Sequence, residues 1–127
     1  MLMMHTPRGG KYEHEDWAPE DWRAHMDYWG ELNRGLKEAG EWVEVQALTP
    51  PSEGRLVRAG RKGVPVTDGP FPESKEFLAG YWIVDVDSPE RAYEIAARAS
   101  AAPGPDGAPL NMPIEVRQVM SAPPSDG

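Results

Sequence analysis

Residues 77–86 read Phe-Leu-Ala-Gly-Tyr-Trp-Ile-Val-Asp-Val and are apolar at odd and even positions alike until Asp85. Side chains of a strand alternate between the two faces of its sheet. A strand apolar at both parities therefore needs cover on both sides, and this excludes a solvated edge. The run predicts a central strand with helices against one face and more protein against the other.

The helices are legible on either side of it. Over 19–39, Trp22, Met26, Trp29, Leu32, Leu36 and Ala39 recur every three or four residues, which is one face of a helix. Pro19 suits its first turn, Glu20 and Asp21 suit the positive end of its dipole, and Gly40 suits its stop. Ser88-Pro89-Glu90 supplies an N-cap, an N1 proline and an acidic first turn. The helix behind it carries Ala92, Ile95, Ala96 and Ala99 as its apolar stripe.

Strands are predicted at 2–5 and 42–48. Residues 55–59 and 64–67 form a hairpin joined by Gly60-Arg61-Lys62-Gly63. A last strand has Ile114 and Val116 on one face and Glu115 and Arg117 on the other. The order β-α-β-hairpin-β-α-β predicts an α+β, ferredoxin-like antiparallel sheet with two helices on one face. The bare second face is then expected to be covered by a second copy in a twofold homodimer.

At 127 residues the chain is one domain, expected to span 1–120, with a flexible C-terminal tail at 121–127. The 13 glycines and 14 prolines cluster between the periodic segments and act as punctuation, not as low complexity. Cysteine is absent, which removes disulfides, thiolate zinc sites and cysteine nucleophiles. A net charge of -8 argues against nucleic acid as a partner. No apolar stretch approaches the ~20 residues that span a bilayer, and the first residues lack a signal peptide's pattern. A cytoplasmic protein with no membrane association is expected.

Residues 66–76, Val-Thr-Asp-Gly-Pro-Phe-Pro-Glu-Ser-Lys-Glu, followed by the strand at 78–86, resemble the YCII-related, or DGPF-domain, family. Asp68-Gly69-Pro70-Phe71 is that family's namesake tetrapeptide. The Ser88-Pro89-Glu90 helix start, Ile114-Glu115-Val116-Arg117, Ala39-Gly40 and Leu48-Thr49-Pro50-Pro51 resemble the family as well. The resemblance covers about residues 1–120. It implies the dimeric α+β barrel superfamily, whose subunits associate through their sheets. Broader relatives include muconolactone isomerases, monooxygenases and a chlorohydroquinone dehalogenase. Genes of the DGPF branch often neighbour extracytoplasmic-function sigma factors. By this resemblance the chain is expected to be cropped by a few residues at its start, and the connection at 103–111 is longer than usual. Fold alone fixes no reaction.

The candidate site residues follow from chemistry and position. His25 falls inside the apolar arc of the first helix, away from Arg23, Asp27 and Arg34. Aimed at the sheet, its imidazole serves as a general acid or base, or as a half-buried ring held by a backbone carbonyl. Arg23-Ala24-His25-Met26 also resembles the region of the broader family where a helix histidine has been proposed as catalytic. His5 ends the first strand and either meets a ligand or is solvated. Asp68 either caps its own Asp-Gly-Pro turn or edges a pocket with Lys75 and Glu76, where a carboxylate and an ammonium polarise a small acid or enol.

Tyr81 and Trp82 point to opposite faces and serve as core, interface or a stacking platform for an aromatic substrate. Asp85, if buried, requires a partner, with Arg117 the candidate. Glu13, His14, Glu15 and Asp16 are metal-ligand types but adjacent in one loop, so no metal is expected. No Gly-x-Ser-x-Gly elbow or phosphate-cradling glycine loop occurs, and no cofactor is expected. Two readings survive. One is cofactor-free acid–base chemistry on a small aromatic or enolic metabolite, carried by His25, His5 and Asp68 with Lys75, Glu76, Trp82 and Tyr81 at the substrate. The other is a non-catalytic sensing or interaction module tied to sigma-factor regulation.

Overall fold

The computed structural model describes residues 1–5, 17–68 and 77–120. Of the sequence-derived candidates, the acidic loop with His14, the Gly69-Pro70-Phe71 part of the motif, Lys75, Glu76 and the tail lie outside the described residues. Asp68 is described in its backbone only.

Six strands and two long helices follow the expected order. They are β1 (Leu2–His5), α1 (Pro19–Glu38), β2 (Trp42–Ala47), β3 (Leu56–Arg58), β4 (Val66–Asp68), β5 (Leu78–Val84), α2 (Pro89–Ser100) and β6 (Ile114–Val116). Four strands form one antiparallel sheet in the order β2-β5-β1-β6, and β3 pairs with β4 in a separate ribbon. The doubly apolar strand β5 is internal, between β2 and β1. Each βαβ unit is split: β5 lies between β1 and β2, and β1 lies between β5 and β6.

The register sorts side chains by face. Leu2 opposes Trp82 and Val116, Met4 opposes Gly80 and Ile114, and Val45 opposes Trp82. On that face, Leu2, Met4 and Trp82 pack with Leu32 and Leu36 of α1 and with Ile95, Ala96 and Ala99 of α2. Both helices thus share one side of the sheet. The stripe expected for α2, Ala92, Ile95, Ala96 and Ala99, is buried throughout. Its Ser88 cap is formed, with Oγ accepting from the Arg91 N–H at 3.2 Å. The opposite face presents Met3, Tyr81 and Ile83, all partly exposed.

Two features depart from the sequence reading. Trp22 and Met26, placed in the apolar stripe of α1, are 38% and 45% exposed because they face a cavity and not the solid core. Asp85 lies beyond the end of β5 and is exposed, so it requires no buried partner. Arg117 instead stands 3.9 Å from Glu115. The β3–β4 ribbon is exposed along Leu56, Val57 and Val66 and projects from the packed layers.

The connection after α2 is ordered. The Gly104 N–H donates to Ala108 O at 2.7 Å, Leu110 N–H to Ala102 O at 3.0 Å and Asn111 N–H to Ser100 O at 2.9 Å. Side chains of α1 complete the same helix end: Tyr28 donates to Arg98 O at 2.8 Å and Trp29 Nε1 to Ala99 O at 3.1 Å. These donors add to the turn bonds from Ala101 and Ala102 N–H that the same carbonyls accept, and they tie α1 to α2.

Candidate functional site

A cavity of about 1000 Å³ opens where the first half of α1 passes over the end of the sheet. Four of the five tryptophans line it, Trp17, Trp22, Trp29 and Trp82. The α1 contribution follows from helical spacing. His25, Trp29 and Asn33 stand four residues apart and form one ridge, with Trp22 and Met26 beside it. The sheet supplies Met4, Val45 and Tyr81, and the last connection supplies Leu110, Asn111 and Met112. A largely apolar wall with a few polar groups is the usual make-up of a small-molecule site.

His25 is 1% exposed, and its Nδ1 lies 3.0 Å from Pro103 O. A carbonyl only accepts, so Nδ1 carries the hydrogen and the lone pair of the neutral ring is on Nε2. Aromatic rings fix the imidazole. Trp29 meets it edge-on at 4.1 Å between centroids, Trp17 edge-on at 5.2 Å, and Trp22 stacks at 5.8 Å. A backbone carbonyl thus holds the His25 ring, and the ring lines the cavity.

His5 is the second histidine of the wall. Its Nε2 lies 3.0 Å from Glu115 Oε1, across the β1–β6 pairing. An ionised carboxylate also only accepts, so here the hydrogen that makes the bond is on Nε2, not on Nδ1 as in His25. The β1–β5 register shifts between Met4 and His5, and His5 opposes Leu78 instead of Ala79. Such an irregularity re-aims a side chain at the edge of a site.

Tyr81 and Trp82 diverge to opposite faces, as alternation requires. Trp82 is 2% exposed, donates from Nε1 to Asn33 Oδ1 at 2.7 Å and meets Trp29 edge-on at 5.3 Å. Tyr81 donates to Glu44 Oε2 at 3.1 Å. Burial first, and then the Glu44 carboxylate, push its phenol above the ordinary value. Both side chains reach the cavity from their own sides of β5.

His25, His5, Tyr81 and Trp82 are thus brought together. Asp68 belongs to the separate ribbon, where its backbone opposes Leu56. Sequence reasoning missed Asn33, Glu115 and the tryptophans Trp17, Trp22 and Trp29 as wall residues. The four-residue ridge through His25 was a usable signal for Trp29 and Asn33. Nothing in the sequence marks the Pro103 carbonyl. Among the described residues, no group of three or more His, Asp or Glu side chains is placed to hold a metal ion. No helix among them is long and apolar enough to cross a membrane.

Fold and cavity together define a small α+β domain with a tryptophan-walled site at one end of its sheet. The YCII-related domain model matches residues 2–104, and the chain belongs to that family. It is also similar to the uncharacterized protein R00369 of Rhizobium meliloti (strain 1021), with 31% identity over 86 residues, 68% of this chain and 69% of that protein.

Proposed function

We propose that the cavity binds a small planar metabolite, aromatic or enolic, and that His25 moves a proton on it without a cofactor. The observation that carries this reading is a buried imidazole held in one tautomer on the wall of an aromatic cavity. The Pro103 carbonyl and the tryptophans fix the ring, and Nε2 is the atom to which we assign the proton transfer. A fixed base beside a bound ring or enol is the arrangement that general acid–base catalysis requires. His5, oriented by Glu115, supplies a second proton site at the sheet edge.

The test is proton exchange. Enolisable aryl ketones and phenols are incubated with the protein in D2O, and their carbon-bound protons are followed by NMR. Exchange above the buffer rate is expected for the native chain, with roughly a 100-fold loss or more in His25→Gln. Thermal shifts without exchange favour the sensing module and refute catalysis, while neither effect refutes the site itself.

The same proposal includes a homodimer formed through the face that carries Met3, Tyr81 and Ile83. Three partly exposed apolar side chains on an internal part of a sheet support it. Ile83→Lys is expected to reduce a dimer to a monomer in sedimentation velocity, and a native chain that sediments as a monomer overturns it.

A further inference from the structure

Asn33 presents a hydrogen-bond donor whose identity is fixed by its neighbour. The indole N–H of Trp82 can only donate, so the atom that it meets at 2.7 Å is the amide oxygen of Asn33. The Nδ2 group of the same planar amide then faces another way. No hydrogen bond from Nδ2 occurs among the described residues, and Asn33 is part of the cavity wall. Trp82 is 2% exposed and Asn33 is partly buried, so the amide has little freedom to flip. A pre-oriented N–H donor on an apolar wall recognises an oxygen acceptor. A ligand without one would leave that donor unpaired, which is the strongest form of discrimination a small pocket achieves.

The ridge sets the ligand's length. Eight residues of α1 separate His25 from Asn33, a rise of about 12 Å, with Trp29 midway. A ligand that reaches from Nδ2 along the wall past Trp29 spans about half of that rise, roughly 6 Å. That is the breadth of one six-membered ring with polar groups at opposite ends, lying along Trp29. We infer that Asn33 selects a para-disubstituted planar ring whose carbonyl or enolate oxygen accepts from Nδ2, while its other polar group lies at the His25 end. This rests on the reading of the cavity as a ligand site.

The probes are 4-hydroxyacetophenone and 4-ethylphenol, which share a phenol and a shape and differ in the carbonyl. Binding is followed by titration of the indole N–H signals of Trp29 and Trp82 in 1H–15N spectra. The ketone is expected to bind the native chain about tenfold more tightly or better. In Asn33→Asp a carboxylate oxygen still accepts from Trp82 but the donor is gone, and the preference is expected to vanish. Asn33→Ser, too short to reach, is expected to behave likewise, and the Trp82 signal reports whether each variant is folded. Equal affinities in the native chain, or a preference that survives both substitutions, overturn the role of Asn33 and leave the cavity reading intact. If neither probe moves an indole signal, the cavity reading falls, and the inference with it.

Discussion

Trp82→Phe is the substitution that most directly tests how the core and the cavity share one side chain. Trp82 is 2% exposed, opposes Leu2 and Val45 in the sheet and donates to Asn33 at 2.7 Å. Phenylalanine is smaller by about 40 Å³, and at ~24 cal/mol per Å³ the void costs about 1 kcal/mol. The lost N–H leaves the Asn33 oxygen without its partner, for about 1–2 kcal/mol more. The expected loss is ~2–3 kcal/mol, or a fall in Tm on the order of 10 °C for a domain of this size.

Urea unfolding followed by far-ultraviolet circular dichroism measures it, with the slope m unchanged if only stability has altered. The hydrogen-bond part is isolated by repeating the substitution in an Asn33→Leu background, where only the packing part should remain. A coupling of about 1 kcal/mol or more is expected. A coupling below about 0.5 kcal/mol, the range of independent sites, would refute the assignment of the Asn33 oxygen and the orientation of its amide.

Ser88→Ala removes the cap of α2 and should cost about 1 kcal/mol, read from the same unfolding curves. Hydrogen bonds from Arg91, at 2.8 Å to both oxygens, hold the Glu41 carboxyl below its ordinary value of 4.5. Its stabilisation is therefore complete above that ordinary value and is lost as pH falls through the lowered one, so Glu41→Gln should flatten the acid limb of Tm against pH. Val57→Ser with Val64→Ser, at positions 62% and 65% exposed, should leave thermal stability within about 0.5 kcal/mol of the native chain. Gly80→Ala should cost about 1–3 kcal/mol by unfolding, because a Cβ there would lie 2.8 Å from the Gln46 carbonyl oxygen, which belongs to a paired strand and cannot easily move.

What the sequence made legible was periodic or locally capped. The α2 stripe and its Ser88 cap need only a few neighbouring residues, and both stand as expected. The position of β5 inside the sheet followed from its two apolar parities. Placing His25 within the apolar arc of α1 was also sound, since the ring is 1% exposed. Periodicity could not tell that the arc covers two different surroundings. Leu32 and Leu36 meet a filled core, whereas Trp22 and Met26 meet a cavity, because the sheet ends beneath the first half of α1. Asp85 shows a related limit: alternation assigned it a face, but the strand ends at Val84 before that face matters.

The least legible element is the one that makes His25 a defined chemical group. Its tautomer depends on the Pro103 carbonyl, which the sequence places 78 residues away. That carbonyl is positioned by the bonds from Gly104 to Ala108 and from Leu110 to Ala102, which fold the connection back on the end of α2. The connection at 103–111 adds Leu110 and Asn111 to the cavity wall, and its Pro103 carbonyl holds the histidine. Asp68 pairs with Leu56 at the end of β4, and the rest of the namesake motif lies outside the described residues. A site needs groups from several elements to converge. In this chain they converge along one ridge of α1, where the spacing that buries a helix also sets His25, Trp29 and Asn33 in line.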